Sequence, residues 1–278
     1  MRKWIATLVV SALATLTLCG SSMAQTTLVD VSANFFDCSQ GLSNTSGASV
    51  ECSRPLGSSK ASAVAAVGHV GVLASATTFT RSFAASAGAR ANFEDFVVFS
   101  GSGLGLVPVT INLVINGQLV VPFSLDSVTA GVKAFASIGG TNVGKLTAIN
   151  QGRGATCLTS SFGGLSCAGT TVSGTLLSQS VLVPLNTPVS IFFELEALTA
   201  AANVGESAFA DFSHSLDFPL NGPVFNLPDG VTANSATSFI VDNRFTPPAL
   251  AVPEPATVAL MALGLAALVG LARRCALS

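Results

Sequence analysis

The two histidines are the side chains of this chain best suited to act as a general base near neutral pH. Asp211 and Asp217 each lie three residues from His214, and a carboxylate that orients a histidine is typical of general-base catalysis. However, alternation along a strand would place both aspartates on the face opposite His214. His69 lies among Ala, Val and Gly with no acidic neighbour in the sequence. We therefore expect both histidines to be structural.

Other residue patterns give equally weak indications of chemistry. The segment 164–168 is loosely similar to a nucleophile elbow around Ser166, but that motif needs a strand–turn–helix context. Glu194 and Glu196 share one face of a predicted strand, whereas glycosidases place two carboxyls across a cleft. No Asp-x-Asp-x-Asp loop indicates calcium. The sequence predicts no catalytic, cofactor or metal site, and therefore a protein that is not an enzyme.

Composition narrows the possible partners. Charged residues make up 9% of the chain, and the basic residues are scattered singly, which argues against nucleic-acid binding. The chain has 18 Phe, no Tyr and a single Trp, Trp4. Tyr and Trp are favoured where a ring must also face water. Their scarcity argues against sugar recognition by ring stacking, but leaves polar contacts with glycans open.

Four cysteines between the two ends of the chain are candidates for disulfides: Cys38, Cys52, Cys157 and Cys167. Nearest-neighbour pairing gives 38–52 and 157–167, although four cysteines allow three connectivities. A zinc site is the rival interpretation, and it is weak because no Cys-x-x-Cys pair is present. Disulfides would place this part of the chain in an oxidising compartment.

The N-terminus has the pattern of a signal peptide. Arg2 and Lys3 precede an apolar run over residues 4–18, and small residues at positions 22 and 24 suit cleavage by signal peptidase between Ala24 and Gln25. An uncleaved membrane anchor is the alternative, but the apolar run is short for one.

The C-terminus combines a short polar motif, an apolar run and a basic pair. The run covers residues 256–272, which is near the lower limit for a transmembrane helix. A basic pair belongs on the cytoplasmic side, which leaves residues 25–250 outside. The residues that define this tail are Val252, Pro253, Glu254, Pro255, Arg273 and Arg274.

This order of features resembles the PEP-CTERM sorting signal over residues 252–274. The resemblance implies recognition and processing by exosortase, an integral membrane protease. By analogy with the GPI signal, the mature protein would then lack the hydrophobic tail. The expected domains are a signal peptide at 1–24, an ectodomain at 25–245, a Pro-rich stalk with the motif at 246–255, and a transmembrane helix with the basic tail at 256–278.

Alternating apolar residues predict several strands between the ends. The clearest run covers 107–125, where Asn116-Gly117 predicts a hairpin turn. A strand pair is expected around 181–195 and a further strand at 208–218, with shorter ones at 77–83, 89–99, 131–138 and 238–241. The Ala-rich stretch 61–76 favours strand over helix because Gly68 and Gly71 interrupt it.

Many short strands with turns between them indicate an all-β ectodomain, an antiparallel β-sandwich or jelly-roll-like fold, flanked by an N-terminal signal helix and a C-terminal transmembrane helix. The expected function is a non-catalytic protein of the cell surface or extracellular matrix, associated with extracellular polysaccharide. The alternatives are a glycan- or ice-binding module, which for ice would need a regular Thr array, and a secreted hydrolase.

Overall fold

The computed structural model describes residues 25–35, 38–79, 84–103, 105–122 and 128–247. The predicted signal peptide up to Ala24, and the tail with Val252 to Pro255 and the arginine pair, lie outside these residues. Within the described part the chain forms strands and turns and no helix. That part accordingly has no helix of the length and apolar character needed to cross a membrane.

The described residues form nineteen strands. In chain order they are β1 (Thr26–Phe35), β2 (Cys38–Asn44), β3 (Gly47–Arg54), β4 (Gly57–Ala66), β5 (His69–Thr78), β6 (Ala85–Ser100), β7 (Leu106–Val120), β8 (Thr129–Ile138), β9 (Thr141–Asn150), β10 (Ala155–Ser160), β11 (Gly163–Ala168), β12 (Thr171–Leu177), β13 (Val181–Pro184), β14 (Pro188–Ala201), β15 (Ser207–Phe212), β16 (Phe225–Asn226), β17 (Thr232–Ser235), β18 (Ile240–Val241) and β19 (Arg244–Phe245).

Two antiparallel sheets pack face to face. The first has the order β10-β9-β8-β14-β6-β1-β2, and the second has the order β11-β12-β7-β15-β5-β4-β3. Apolar residues at every second position of the long central strands, such as β6 and β14, point between the sheets, as the period of a strand requires. The prediction of an all-β, antiparallel fold is confirmed.

Phenylalanine fills the space between the sheets. Phe93 of β6 lies 4.9 Å from Phe193 of β14 between ring centroids, and both rings meet Phe218 at 5.9 and 5.3 Å. All three side chains are buried. Edge-on contacts of this kind add to the free energy gained from burying the rings. The core thus explains why the chain is rich in Phe although it lacks Tyr.

Both predicted disulfides form with nearest-neighbour pairing. Cys38–Cys52 joins β2 to β3, and Cys157–Cys167 joins β10 to β11. Each disulfide therefore connects an outermost strand of one sheet to an outermost strand of the other. The two disulfides lie at opposite sides of the sandwich. In the chain-entropy model, a disulfide that closes a loop of this length stabilises the folded state by roughly 3 kcal/mol.

The predicted hairpin at Asn116-Gly117 is wrong. β7 runs without a break through both residues, and β12 pairs with it across this point, Val172 opposite Gly117 and Ser173 opposite Asn116. Gly117 does not turn the chain; it makes room for the ring of Phe212, which lies directly over its Cα. The continuation of the predicted hairpin to residue 125 reaches residues 123–127, which lie outside the described part.

The predicted strand pair at 181–195 is correct in its strands and wrong in their pairing. β13 and β14 are separated by a turn in which Asn186 has a φ of 54°. β13 pairs with β7, whereas β14 lies between β6 and β8 in the other sheet. The chain therefore crosses from one sheet to the other at this turn.

The remaining predicted strands differ from the observed ones mainly in the residues at which they end. The strands at 89–99 and 131–138 are confirmed within β6 and β8, and the stretch 61–76 forms β4 and β5 around a turn at Gly68. The predicted strand at 77–83 begins in β5, which ends at Thr78, and its residues 80–83 lie outside the described part. The predicted strand at 208–218 ends at Phe212, and only Ile240–Val241 of 238–241 is a strand.

Candidate functional site

A break in the second sheet creates the candidate site. β15 pairs with β5 on one side and with β7 on the other, and it ends at Phe212. The chain leaves the sheet through a turn at Ser213 and His214, then returns at Asp217. The backbone of Asp217 pairs with that of Val114 through hydrogen bonds of 2.8 and 2.9 Å. One residue thus restores the sheet between β5 and β7.

At the point of return, Asp217 forms a hydrogen bond with His69, the first residue of β5. Oδ1 of Asp217 contacts Nδ1 of His69. The side chain of His69 is 27% exposed and that of Asp217 is 36% exposed, so a ligand can reach both. Because the carboxylate accepts, Nδ1 donates, and Nε2 of a neutral His69 is left as an acceptor. The carboxylate that contacts His69 lies 148 residues away in the chain, so the sequence around His69 does not indicate it.

His214 is not the histidine that gains a carboxylate. The strand ends before it, so the alternation that would set it opposite Asp211 and Asp217 does not extend this far. Asp211 instead accepts hydrogen bonds from the backbone N–H of Ser213 at 3.0 Å and from its hydroxyl at 2.7 Å. His214 is exposed and contributes one wall of a cleft.

The cleft lies on the outer face of the second sheet and has a volume of about 930 Å³. Its floor comes from β5, β7 and β12, and its walls come from the segment after β15 and from the last described strand. The lining residues are Gly68, His69, Asn112, Val114, Thr175, Leu177, His214, Asp217, Phe218, Pro219, Leu220, Asn221, Gly222, Pro223, Asn226 and Phe245.

The floor presents a row of side chains across four strand positions. Thr175 lies opposite Val114, Val114 opposite Asp217, and Asp217 opposite His69. Neighbours in such a row are about 4.8 Å apart, so Thr175 and Asp217 are separated by about 10 Å. The adjacent Asn112 is buried, and its amide nitrogen donates to Pro223 O at 3.0 Å. It therefore fixes the wall rather than facing a ligand.

The walls of the cleft are largely apolar. Leu177 is 41% exposed and Leu220 is 69% exposed, so both leave apolar surface open to the cleft. Phe245 closes one end and packs against Phe218, with ring centroids 5.4 Å apart. Of the described residues that line the cleft, Asp217 is the only one with a formal charge when the histidines are neutral.

The backbone that delivers Asp217 is strained. Leu216 is fully buried and has a φ of 93°, a conformation that costs a bulky residue about 1–3 kcal/mol. Its carbonyl accepts from the N–H of Val70 at 3.2 Å, which anchors the strained residue to β5. Strain of this kind persists where surrounding structure holds it, and here it places the carboxylate in the cleft.

The paired glutamates considered from the sequence lie elsewhere, on the outer face of the first sheet. Glu194 forms an ion pair with Arg90, and this hydrogen bond raises the pKa of the Arg90 guanidinium. Glu196 pairs with Lys133 at 3.2 Å. The two carboxylates project from one strand and each meets a cation, so they do not form the facing pair of a glycosidase.

Asp95 of β6 is a buried aspartate. It is 1% exposed, and burial raises the pKa of its carboxyl. Oδ2 accepts from the hydroxyl of Thr237 at 2.6 Å, and Oδ1 accepts from the N–H of Phe96 at 2.8 Å. The bond from Thr237 ties the segment after β17 to the first sheet, and the bond from Phe96 orients the carboxylate within β6. Asp95 is therefore structural and lies away from the cleft.

The other candidates do not form sites. Ser166 lies within β11, so the strand–turn–helix context of a nucleophile elbow is not formed. Thr77 faces outward in a row with Ser58 and Ser207, whereas Thr78 is buried, so this part of the chain shows no regular Thr array. Among the described residues, no group of three or more His, Cys, Asp or Glu could hold a metal ion.

Comparison with known proteins identifies the tail. Residues 251–274 match the family model for the PEP-CTERM protein-sorting motif, which covers the six tail residues named from the sequence. The motif indicates an exported protein that is processed by exosortase. A search of curated proteins found no match, and a search of solved structures also found none.

Proposed function

We propose that this protein, which carries a PEP-CTERM sorting motif, is a non-catalytic component of the cell surface or extracellular matrix. Its β-sandwich associates with extracellular polysaccharide, and the cleft around Asp217 is the surface that makes the association. Signal peptidase cleaves between Ala24 and Gln25, and the tail helix anchors a precursor in the inner membrane. Exosortase then removes that tail.

The cleft carries this proposal. It is open, it has a row of polar groups on its floor, and it has apolar walls that can pack against the C–H faces of sugar rings. Thr175, Asp217 and His69 offer a hydroxyl, a carboxylate and an imidazole along about 14 Å, which is three strand spacings. Sugar hydroxyls both donate and accept, so they match such a mixed set.

The same geometry supports a non-catalytic role. A nucleophilic mechanism needs a Ser, Thr or Cys within hydrogen-bond reach of the base. Among the described residues, no hydrogen bond joins a hydroxyl or thiol side chain to His69 or His214. Both cysteine pairs are oxidised, so none of these four supplies a thiol. Among the described residues, His69 therefore has a carboxylate partner but no side-chain nucleophile within hydrogen-bond reach.

The test is co-sedimentation of the full-length chain, purified in detergent with its disulfides intact, with polysaccharide from the producing organism. We expect saturable binding by the wild-type protein. Leu220→Ala should weaken it several-fold by removing an exposed apolar wall of the cleft. The matched control is Leu182→Ala, since Leu182 is 60% exposed on β13 and outside the cleft.

Three results would count against this function. Wild-type protein that is folded and does not sediment with the polysaccharide contradicts the association itself. Equal weakening in Leu220→Ala and Leu182→Ala places the association on a surface other than the cleft. Hydrolysis of the polysaccharide during the assay, abolished by His69→Ala, would replace the non-catalytic role with an enzymatic one.

A further inference from the structure

We infer that the cleft selects sugars that carry a protonated amine, and that it discriminates against acidic sugars. The inference rests on the proposed function, because it names the chemistry that the same cleft would recognise. It follows from three properties of the lining residues: their charge, the hydrogen-bonding capacity of the floor, and the position of the exposed leucine in the wall.

The first property is charge. Asp217 contributes a carboxylate, and among the described residues no Lys or Arg lines the cleft. Proteins that bind carboxylates, sulfates or phosphates use Arg or Lys for the purpose. An acidic sugar brought beside Asp217 would gain no compensating cation and would be repelled. A cationic or neutral sugar meets no such penalty.

The second property is an unpaired acceptor at the centre of the floor. Oδ1 of Asp217 is occupied by Nδ1 of His69. Among the described residues, no hydrogen bond from a protein group reaches Oδ2. This oxygen therefore remains for a ligand group that donates to it. An ammonium group both donates a hydrogen bond and carries a compensating positive charge, whereas a hydroxyl group donates but carries no charge.

The third property is the apolar wall of the cleft that Asp217 lines. Leu220 is 69% exposed and Leu177 is 41% exposed, so both remain available to the C–H face of a sugar ring. Apolar walls also lower the local dielectric, which strengthens the attraction between a carboxylate and an ammonium group. The wall therefore supports recognition of the amine as well as of the ring.

Titration calorimetry on the full-length chain in detergent tests the inference with three probes: glucosamine oligomers, N-acetylglucosamine oligomers and polygalacturonate. We expect the glucosamine oligomers to bind most tightly and polygalacturonate not to bind. Asp217→Asn keeps an acceptor but removes the charge, and should weaken glucosamine binding tenfold or more. Asp211→Asn is the matched control, because Asp211 is a half-buried aspartate of the same sheet that does not line the cleft.

A second pair of variants tests the effect of charge in the cleft and leaves Asp217 and His69 unchanged. Leu220→Lys introduces a cation into the wall and should abolish binding of glucosamine oligomers while it permits binding of polygalacturonate. Leu220→Gln is the neutral control and should do neither. Because Leu220 is largely exposed, neither variant should alter the fold.

The outcomes separate this inference from the proposed function. Wild-type protein that binds the organism's polysaccharide, but binds the three probes equally or prefers polygalacturonate, overturns the amine selectivity and leaves the association intact. Equal affinities of Asp217→Asn and Asp211→Asn for glucosamine oligomers also overturn it. Failure of the wild-type protein to bind the organism's polysaccharide removes both.

Discussion

Replacing Gly117 with alanine should destabilise the protein far more than a single methyl group suggests. Gly117 is buried in the middle of β7, and an added Cβ would lie 2.5 Å from Cγ of Phe212 and closer still to two other ring atoms. Ordinary carbon contacts are 3.5–4.0 Å, so the ring must move by about 1 Å or more. Phe212 is fully buried between the sheets and has little room to do so.

The expected loss for Gly117→Ala is about 3 kcal/mol in the free energy of unfolding, at the upper end of the range for overpacked cores. Phe212→Leu alone should cost about 1.5 kcal/mol, since it keeps most of the apolar volume. Independent effects would make the double variant lose about 4.5 kcal/mol. We expect it to lose only about 2 kcal/mol, because the smaller side chain at 212 removes the clash.

The assay is urea unfolding of oxidised, full-length protein in detergent, followed by far-ultraviolet circular dichroism. Gly131→Ala is the control, because Gly131 is also a buried strand glycine but an added Cβ there meets its nearest atoms at 3.5 and 3.6 Å. It should change stability by less than about 1 kcal/mol. Additive losses in the double variant would refute the packing of Phe212 on Gly117. So would a similar loss in Gly131→Ala.

Two further predictions concern the segment that closes the domain. Burial raises the pKa of Asp95, so its contribution to stability is fully present below the unfolded value of about 3.9 and is lost as pH rises through the folded pKa. Asp95→Asn should therefore flatten the dependence of the unfolding free energy on pH above about pH 4. An unchanged slope would show that other groups cause it. Asn243 has a φ of 63°, and its side-chain amide donates to Phe225 O and accepts from Phe225 N, both at 2.8 Å. Asn243→Ala should cost about 3 kcal/mol and Asn243→Gly about 1 kcal/mol less in urea unfolding, since glycine tolerates the backbone; equal losses would mean that φ contributes nothing.

The sequence predicts the strands of this fold better than it predicts their partners. Alternation is a local property, so β6 and β8 could be located from residues 89–99 and 131–138. Pairing is a long-range property, and a short link such as the one at Asn186 can close a hairpin or lead to the opposite sheet. The Asn116-Gly117 pair shows the same limit, because glycine suits a tight turn and close packing equally well.

The two parts of the molecule that bear on function differ in the same way. The sorting tail is a continuous run of residues, so the sequence alone identifies it. The hydrogen bond between His69 and Asp217 joins residues that are 148 positions apart in the sequence. It forms only because β15 ends at Phe212 and the chain returns to the sheet at Asp217. The local sequence around Asp217 shows that the alternation of the strand is interrupted, and turn-forming residues follow at Pro219, Asn221 and Pro223. It does not indicate which histidine the carboxylate meets.

The disulfides at the two sides of the sandwich limit how copies of this domain can assemble. A sheet normally grows by accepting another strand along its outermost one, and long exposed outer strands lead to uncontrolled fibres. Here β2 turns directly into β3 and β10 into β11, and the bonds Cys38–Cys52 and Cys157–Cys167 hold each pair together. A strand from another copy would have to part a covalently linked corner. Polymerisation by strand addition is therefore disfavoured at both sides of the sandwich.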